Sequence, residues 1–108
     1  MILSDDEHFF IILNAIHDYH KGENDIAILL VERTTAQLMN FEGTTDTQEI
    51  YDEIVEIFNF YNLFIKEKDI DLPIITDEYY ELTLMYLNEV QNLFMEDKIW
   101  VYLELRMK

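Results

Sequence analysis

Carboxylates outnumber every other group able to do chemistry in this chain: 23 Asp and Glu stand against 7 Lys and Arg and 3 His among 108 residues. The densest arrangement is Glu49, Asp52, Glu53 and Glu56, whose i, i+3, i+4, i+7 spacing puts them on one face of a helix, rotated away from an Ile50 to Ile65 apolar stripe. A solvent-facing row of this kind does electrostatic work. At about 1.5 Å of rise per residue it offers one charge per roughly 3.5 Å of helix axis, close to the roughly 3.4 Å per phosphate along one DNA strand. Like charges at these separations each cost a few tenths of a kcal/mol, and no Lys or Arg between Thr34 and Ile65 relieves them. Glu42 and Asp46 extend the acidity upstream. Asp69, Asp71, Asp77, Glu78 and Glu81 continue it downstream, in a stretch without a basic residue between Lys68 and Lys98. The plainer alternative is a solvated polar face on an acidic protein, which is what most charge runs are.

Other chemistries find less support. His17 and His20 lie three apart on the first helix, with His8 behind them and Asp5 one turn before His8. A di-metal carboxylate bundle needs two Glu-x-x-His pairs and further inward-facing Glu, and no such pair occurs. By helical phase His20 sits near the apolar stripe while His8 points elsewhere, so one partly buried and two surface histidines are expected, and no metal. Asp69-x-Asp71 has the opening of a calcium loop without its glycine and closing glutamate. The absence of cysteine excludes disulfide, zinc-thiolate and thiol-nucleophile chemistry, and two glycines leave little capacity for a backbone phosphate cradle. The expectation is a protein that is not an enzyme and carries no cofactor.

The formal charge of −16 far exceeds the roughly 2 to 8 that keeps a small domain soluble. Such a field repels nucleic acid and anionic membrane and steers basic partners inward, so the partner expected is a basic protein rather than DNA or lipid. The longest apolar run, Ile26 to Val31, is far short of the roughly 20 residues that span a bilayer. Met1-Ile2-Leu3-Ser4-Asp5-Asp6-Glu7 is acidic where a signal peptide would be basic, which reads as cytoplasmic.

Half the residues are apolar and only two Gly and one Pro punctuate the chain, which favours helices over a sandwich of short strands. One all-α domain over residues 1–108, a compact bundle of four to five helices, is the expected architecture. Ser4 and Glu7 form a capping box at the start of the first helix, whose stripe is Phe9, Ile12, Leu13 and Ile16, widened by Phe10 and Ile11 and closed at Gly22. Residues 24 to 40, with Asn24 as a cap, read as a buried helix, although Ile26 to Val31 suits a buried strand as well. Asp46 or Thr47 caps a long third helix with the stripe Ile50, Ile54, Ile57, Phe58, Tyr61 and Ile65, ending near Lys66 to Lys68. Pro73 keeps the following connection non-helical. Thr76 opens a fourth helix with the stripe Tyr79, Leu82, Tyr86, Val90 and Leu93, which stops or changes phase near Asp97. Ile99 to Met107 alternates like a half-buried strand. A short last helix is preferred there, with a small strand pair from 26–31 and 99–107, hence α+β, as the alternative.

The aromatics Phe58, Phe60, Tyr61, Phe64, Tyr79, Tyr80 and Tyr86 are flanked by carboxylates and read as core rather than as a base-stacking platform, which needs a basic groove. Tyr51 and Tyr80 lie at the edges of their stripes beside the acid, where an aromatic anchor could serve a protein interface. In overall character the chain is similar to small acidic inhibitors such as anti-restriction and anti-CRISPR proteins, a similarity of composition carried by no motif. The leading expectation is an inhibitor that blocks a nuclease or other nucleic-acid-binding protein as a DNA mimic, followed by an immunity protein or antitoxin that neutralises a toxin, and then by a homo-oligomeric structural subunit.

Overall fold

The computed structural model describes residues 2–22 and 25–95. It is an all-α bundle of four helices, α1 (Asp5–His20), α2 (Ile26–Ala36), α3 (Thr47–Glu67) and α4 (Glu78–Met95), with no strand among the described residues. Ile26 to Val31 is therefore helix, not strand. Residues 99–107 and the phase change expected near Asp97 lie outside the described residues.

The starts of α1, α2 and α3 are each fixed by a short polar side chain. Ser4 Oγ accepts from the Glu7 backbone N–H at 3.2 Å while Glu7 Oε1 accepts from that of Ser4 at 3.1 Å, the capping box read from the sequence. Asp25 caps α2 by accepting from Ala27 N–H at 2.9 Å, and Asp46 caps α3 through Gln48 N–H at 2.9 Å; Asn24, the cap expected for α2, lies outside the described residues. After Ala36 the chain widens into one π turn, Gln37–Phe41, which closes at Gly43 (φ 69°). At the end of α3, Asp69 adopts a left-handed φ of 52°. The N–H of Ile70 then reaches Ile65 O at 2.9 Å and that of Asp69 reaches Lys66 O at 3.3 Å, a Schellman stop with aspartate where glycine is usual.

The six expected stripe residues of α3, Ile50, Ile54, Ile57, Phe58, Tyr61 and Ile65, are all buried and form the centre of the core. At about 1.5 to 3 kcal/mol per fully buried side chain they make α3 the principal source of burial energy. The connection to α4 is pinned on this helix. Tyr61 OH donates to Pro73 O at 2.7 Å, and Asn62 holds Ile75 at both backbone groups, donating to its O at 3.1 Å and accepting from its N–H at 3.0 Å. Burial, then the nearby Tyr19 and Asp25, push the Tyr61 phenol above the usual tyrosine range.

Two stripes are rotated from the expected phase. In α1 the buried residues are His8, Ile11, Ile12 and Ala15, whereas Phe9, Phe10 and Leu13 are exposed. The inward line is shifted about one residue because His8 has a partner across the core. In α4 Thr83 and Leu87 are buried, Tyr79 and Tyr86 are half-buried and Leu82 is exposed. The Thr83 hydroxyl is satisfied by Tyr79 O at 2.7 Å, so its burial costs no orphaned donor. Val90 and Leu93 lie outside the side chains described. No helix among the described residues is long and apolar enough to cross a membrane.

Candidate protein-binding face

α1 runs alongside α3 in the same sense: the N–H of Ile2 donates to Glu53 Oε1, the His8 ring faces Phe60 and Phe9 stands edge-on to Phe64. At this seam His8 Nε2 lies 3.0 Å from Glu53 Oε2, with the two side chains only 1% and 3% exposed. Both Glu53 oxygens are therefore satisfied within the fold. Glu53 departs from its expected place in the solvent-facing row, and His8 from the surface; His20, expected near the stripe, is exposed, as is His17, 3.7 Å from Asp18. The three histidines do not converge, and among the described residues no group of three potential ligands stands close enough to hold a metal.

Glu49, Asp52 and Glu56 remain on the outer face of the first half of α3, all exposed, with Asp52 accepting from Gln48 Nε2 at 3.0 Å. With Glu53 withdrawn, three charges span about 10.5 Å of axis, one per roughly 5 Å, so the fit to phosphate spacing along one strand is lost while the field is kept. Glu42, at the end of the π turn, and Asp46, the α3 cap, are exposed at the same end. Tyr51 is half-buried beside them. Together with Ile2, Val55 and Asn59, the Glu49 to Glu56 segment lines an open concavity of about 440 Å³.

The downstream acids form a separate group. Asp69, Asp71, Asp77, Glu78 and Glu81 are exposed, on the connection and first turns of α4. The bonds of Asn62 to Ile75 fix that connection roughly 20 Å along α3 from Glu49, at 13 residues of about 1.5 Å each. Tyr80 is half-buried, its ring 5.8 Å from Phe58, which makes it part of the packing between α3 and α4. Tyr79 donates to Asp25 Oδ2 at 2.8 Å; that hydrogen bond first, then desolvation, then the charges of Asp25 and Glu78, raise its phenol pKa.

The described cations stand elsewhere. Arg33 pairs with Asp18, Lys21 follows α1, and Lys66 and Lys68 lie at the far end of α3. The first half of α3 thus presents unrelieved negative charge, with Glu49 alone in the first turn, where the dipole favours it.

No family model, no curated protein and no solved structure matches this chain.

Two features of the structure were missed by sequence reasoning. The His8 and Glu53 seam had a signal in phase: Glu53 falls between Ile50 and Ile54, one turn before Ile57, at the margin of the stripe as well as of the acid row. An apolar opening that Ala27, Ile28 and Val31 of α2 form with Leu82 and Thr83 of α4 had none, because it depends on how two helices far apart in sequence meet.

Proposed function

We propose that the chain is a non-catalytic binding protein that docks on a basic protein through the first half of α3, with Glu49, Asp52 and Glu56 as its charged contacts and Glu42 and Asp46 at the rim. The observation that carries this reading is the exposure of these carboxylates on one rigid helix with no described cation near them. A preformed row loses little side-chain and backbone freedom on binding, and its field raises the encounter rate with a positive cleft. The clefts that fit best are those that hold nucleic acid, since a polyanion site is already lined with Lys and Arg. The partner is then a nuclease or other nucleic-acid-binding protein, and the chain competes with DNA as an acidic inhibitor of the anti-restriction or anti-CRISPR kind.

The open concavity with Tyr51 at its edge favours a second reading, an immunity protein or antitoxin that receives one side chain of its toxin there. Affinity capture of tagged chain from a cell lysate, repeated with competing duplex DNA, separates the two. The inhibitor reading expects a basic nucleic-acid-binding protein that DNA displaces and that a Glu49→Lys, Asp52→Lys, Glu56→Lys variant fails to hold. A partner indifferent to DNA but lost on Tyr51→Ala points to the second reading. A partner indifferent to all three changes refutes both.

A further inference from the structure

The side of α1 turned away from the core carries a pattern of its own. Asp6, Phe10, Leu13, His17 and His20 recur at i, i+4, i+7, i+11 and i+14, the alternation of four and three that draws one seam along a helix, and all five are exposed. By helical phase this seam lies opposite the buried His8, Ile12 and Ala15. Phe10 and Leu13, at its middle, are 67% and 45% exposed, and Phe9 at its edge, its ring edge-on to Phe64, is 39% exposed. Large apolar side chains thus stand together in water at the centre of a helix whose ends differ in sign. Its first turn is acidic, with Asp5, Asp6 and Glu7, and its last is basic, with His17 and His20 and then Lys21 at the cap.

We propose that this face pairs with the same face of a second copy of the chain, the two α1 helices lying antiparallel about a two-fold axis at Leu13. In that register Phe10 of one copy meets the half-buried Ile16 of the other, Phe9 meets His17, and Asp6 meets His20. Apolar side chains answer apolar ones at the centre, acid answers base at both ends, and the positive end of each helix dipole lies beside the negative end of the other.

The gradient of charge along α1 decides the occupant. A uniformly basic segment suits the first turn and is repelled by the last, a uniformly acidic one does the reverse, and nucleic acid or an anionic lipid surface is repelled by Asp5, Asp6 and Glu7. An antiparallel copy carries the reversed gradient by symmetry. The repulsion between two chains at −16 is long-ranged and is screened beyond about 8 Å at physiological salt, whereas the seam contacts are direct. One helix pair covers less than the roughly 800 Å² per partner of a standard stable interface, so the dimer is a reversible one that fills with concentration. The seam shares no residue with the α3 face and does not depend on its role.

The test is sedimentation of the full chain at rising concentration in moderate salt, with circular dichroism confirming that each variant keeps its helices. Wild type is expected to show a reversible monomer–dimer equilibrium, which Phe10→Gln and Leu13→Gln, both at exposed positions, should each weaken at least tenfold. Asp6→Lys lowers the net negative charge, so general repulsion alone predicts tighter association, whereas the antiparallel seam predicts weaker. His20→Glu should weaken it as well, and the double variant Asp6→Lys, His20→Glu should regain what the single ones lose, because each end again pairs opposite charges. A chain that stays monomeric at every concentration overturns the proposal, as does a dimer indifferent to Phe10→Gln and Leu13→Gln, or a double variant no better than the singles. Nuclear Overhauser contacts across copies between Phe10 and Ile16, in a mixture of labelled and unlabelled chain, support it. Contacts of Leu13 with residues 96–108 of the same chain overturn it by assigning the face to that segment.

Discussion

The α1 and α3 seam and the outer face of α3 use the same residue type for opposite ends. Glu53 is sealed behind His8 and Ile2 with every oxygen partnered, whereas Glu49, Asp52 and Glu56, within a turn of it, reach water. Burying a carboxylate is expensive unless its hydrogen bonds are replaced, and the seam replaces them with a ring nitrogen and a backbone N–H. The outer carboxylates keep their hydration and spend helix stability instead, through mutual repulsion. What divides them is the neighbour across the packing, so a carboxylate belongs to the fold when something from another element answers it and to the surface when nothing does.

The largest effect should come from breaking the seam. Glu53→Ala leaves the buried His8 ring without its partner and releases the Ile2 N–H, and thermal or urea unfolding should show a loss of about 3 kcal/mol. His8→Ala should cost a similar amount, and the double variant less than the sum, since the two share one interaction. An unchanged midpoint for Glu53→Ala would mean that Glu53 belongs with its exposed neighbours after all.

Tyr61→Phe comes next, removing the bond to Pro73 O for about 1 kcal/mol near neutral pH. It also carries a pH signature. Because burial raises the folded-state phenol pKa above the unfolded value of about 10, wild-type stability is complete below that pH and declines as pH climbs through it. The variant should decline less steeply in denaturant titrations at successive alkaline pH values.

Asp46→Ala removes the α3 cap and should cost about 1 kcal/mol in the same unfolding assay. The smallest change is opposite in sign. Glu49→Gln, Glu56→Gln and Asp52→Asn should each leave stability unchanged or raise it by a few tenths of a kcal/mol, an effect that shrinks as salt is added. A neutralised outer face that destabilised the chain as much as Glu53→Ala would erase the contrast on which the functional reading stands.

Much of the fold was legible because α3 carries a long, clean apolar period and its caps and stop are local chemistry, as are Ser4 and Glu7 at the first helix. The phases of α1 and α4 were harder. Apolar residues on α1 are numerous enough to draw two overlapping stripes, one through Phe9 and Leu13 and one through Ile11 and Ala15, and only the position of Glu53 across the core selects between them. On α4 the exposure of Leu82 and burial of Thr83 follow from where Asn62 anchors the connection, a tertiary fact. The acidic face was legible as charge and overdrawn by one residue, because helical spacing places side chains on a face without saying what stands opposite. The apolar groove was invisible to any single-helix argument.

On the proposed reading the outer carboxylates of α3, and not charge in general, hold a basic partner. The direct measurement is the affinity of the captured partner for two charge-matched variants, by calorimetry at several salt concentrations: one with Glu49, Asp52 and Glu56 changed to Lys, the other with exposed Glu67, Asp71 and Glu89 changed to Lys. The first variant should lose at least tenfold in affinity and show a shallower salt dependence, and the second should change within about twofold. Equal losses in the two variants, or none in the first, would contradict it.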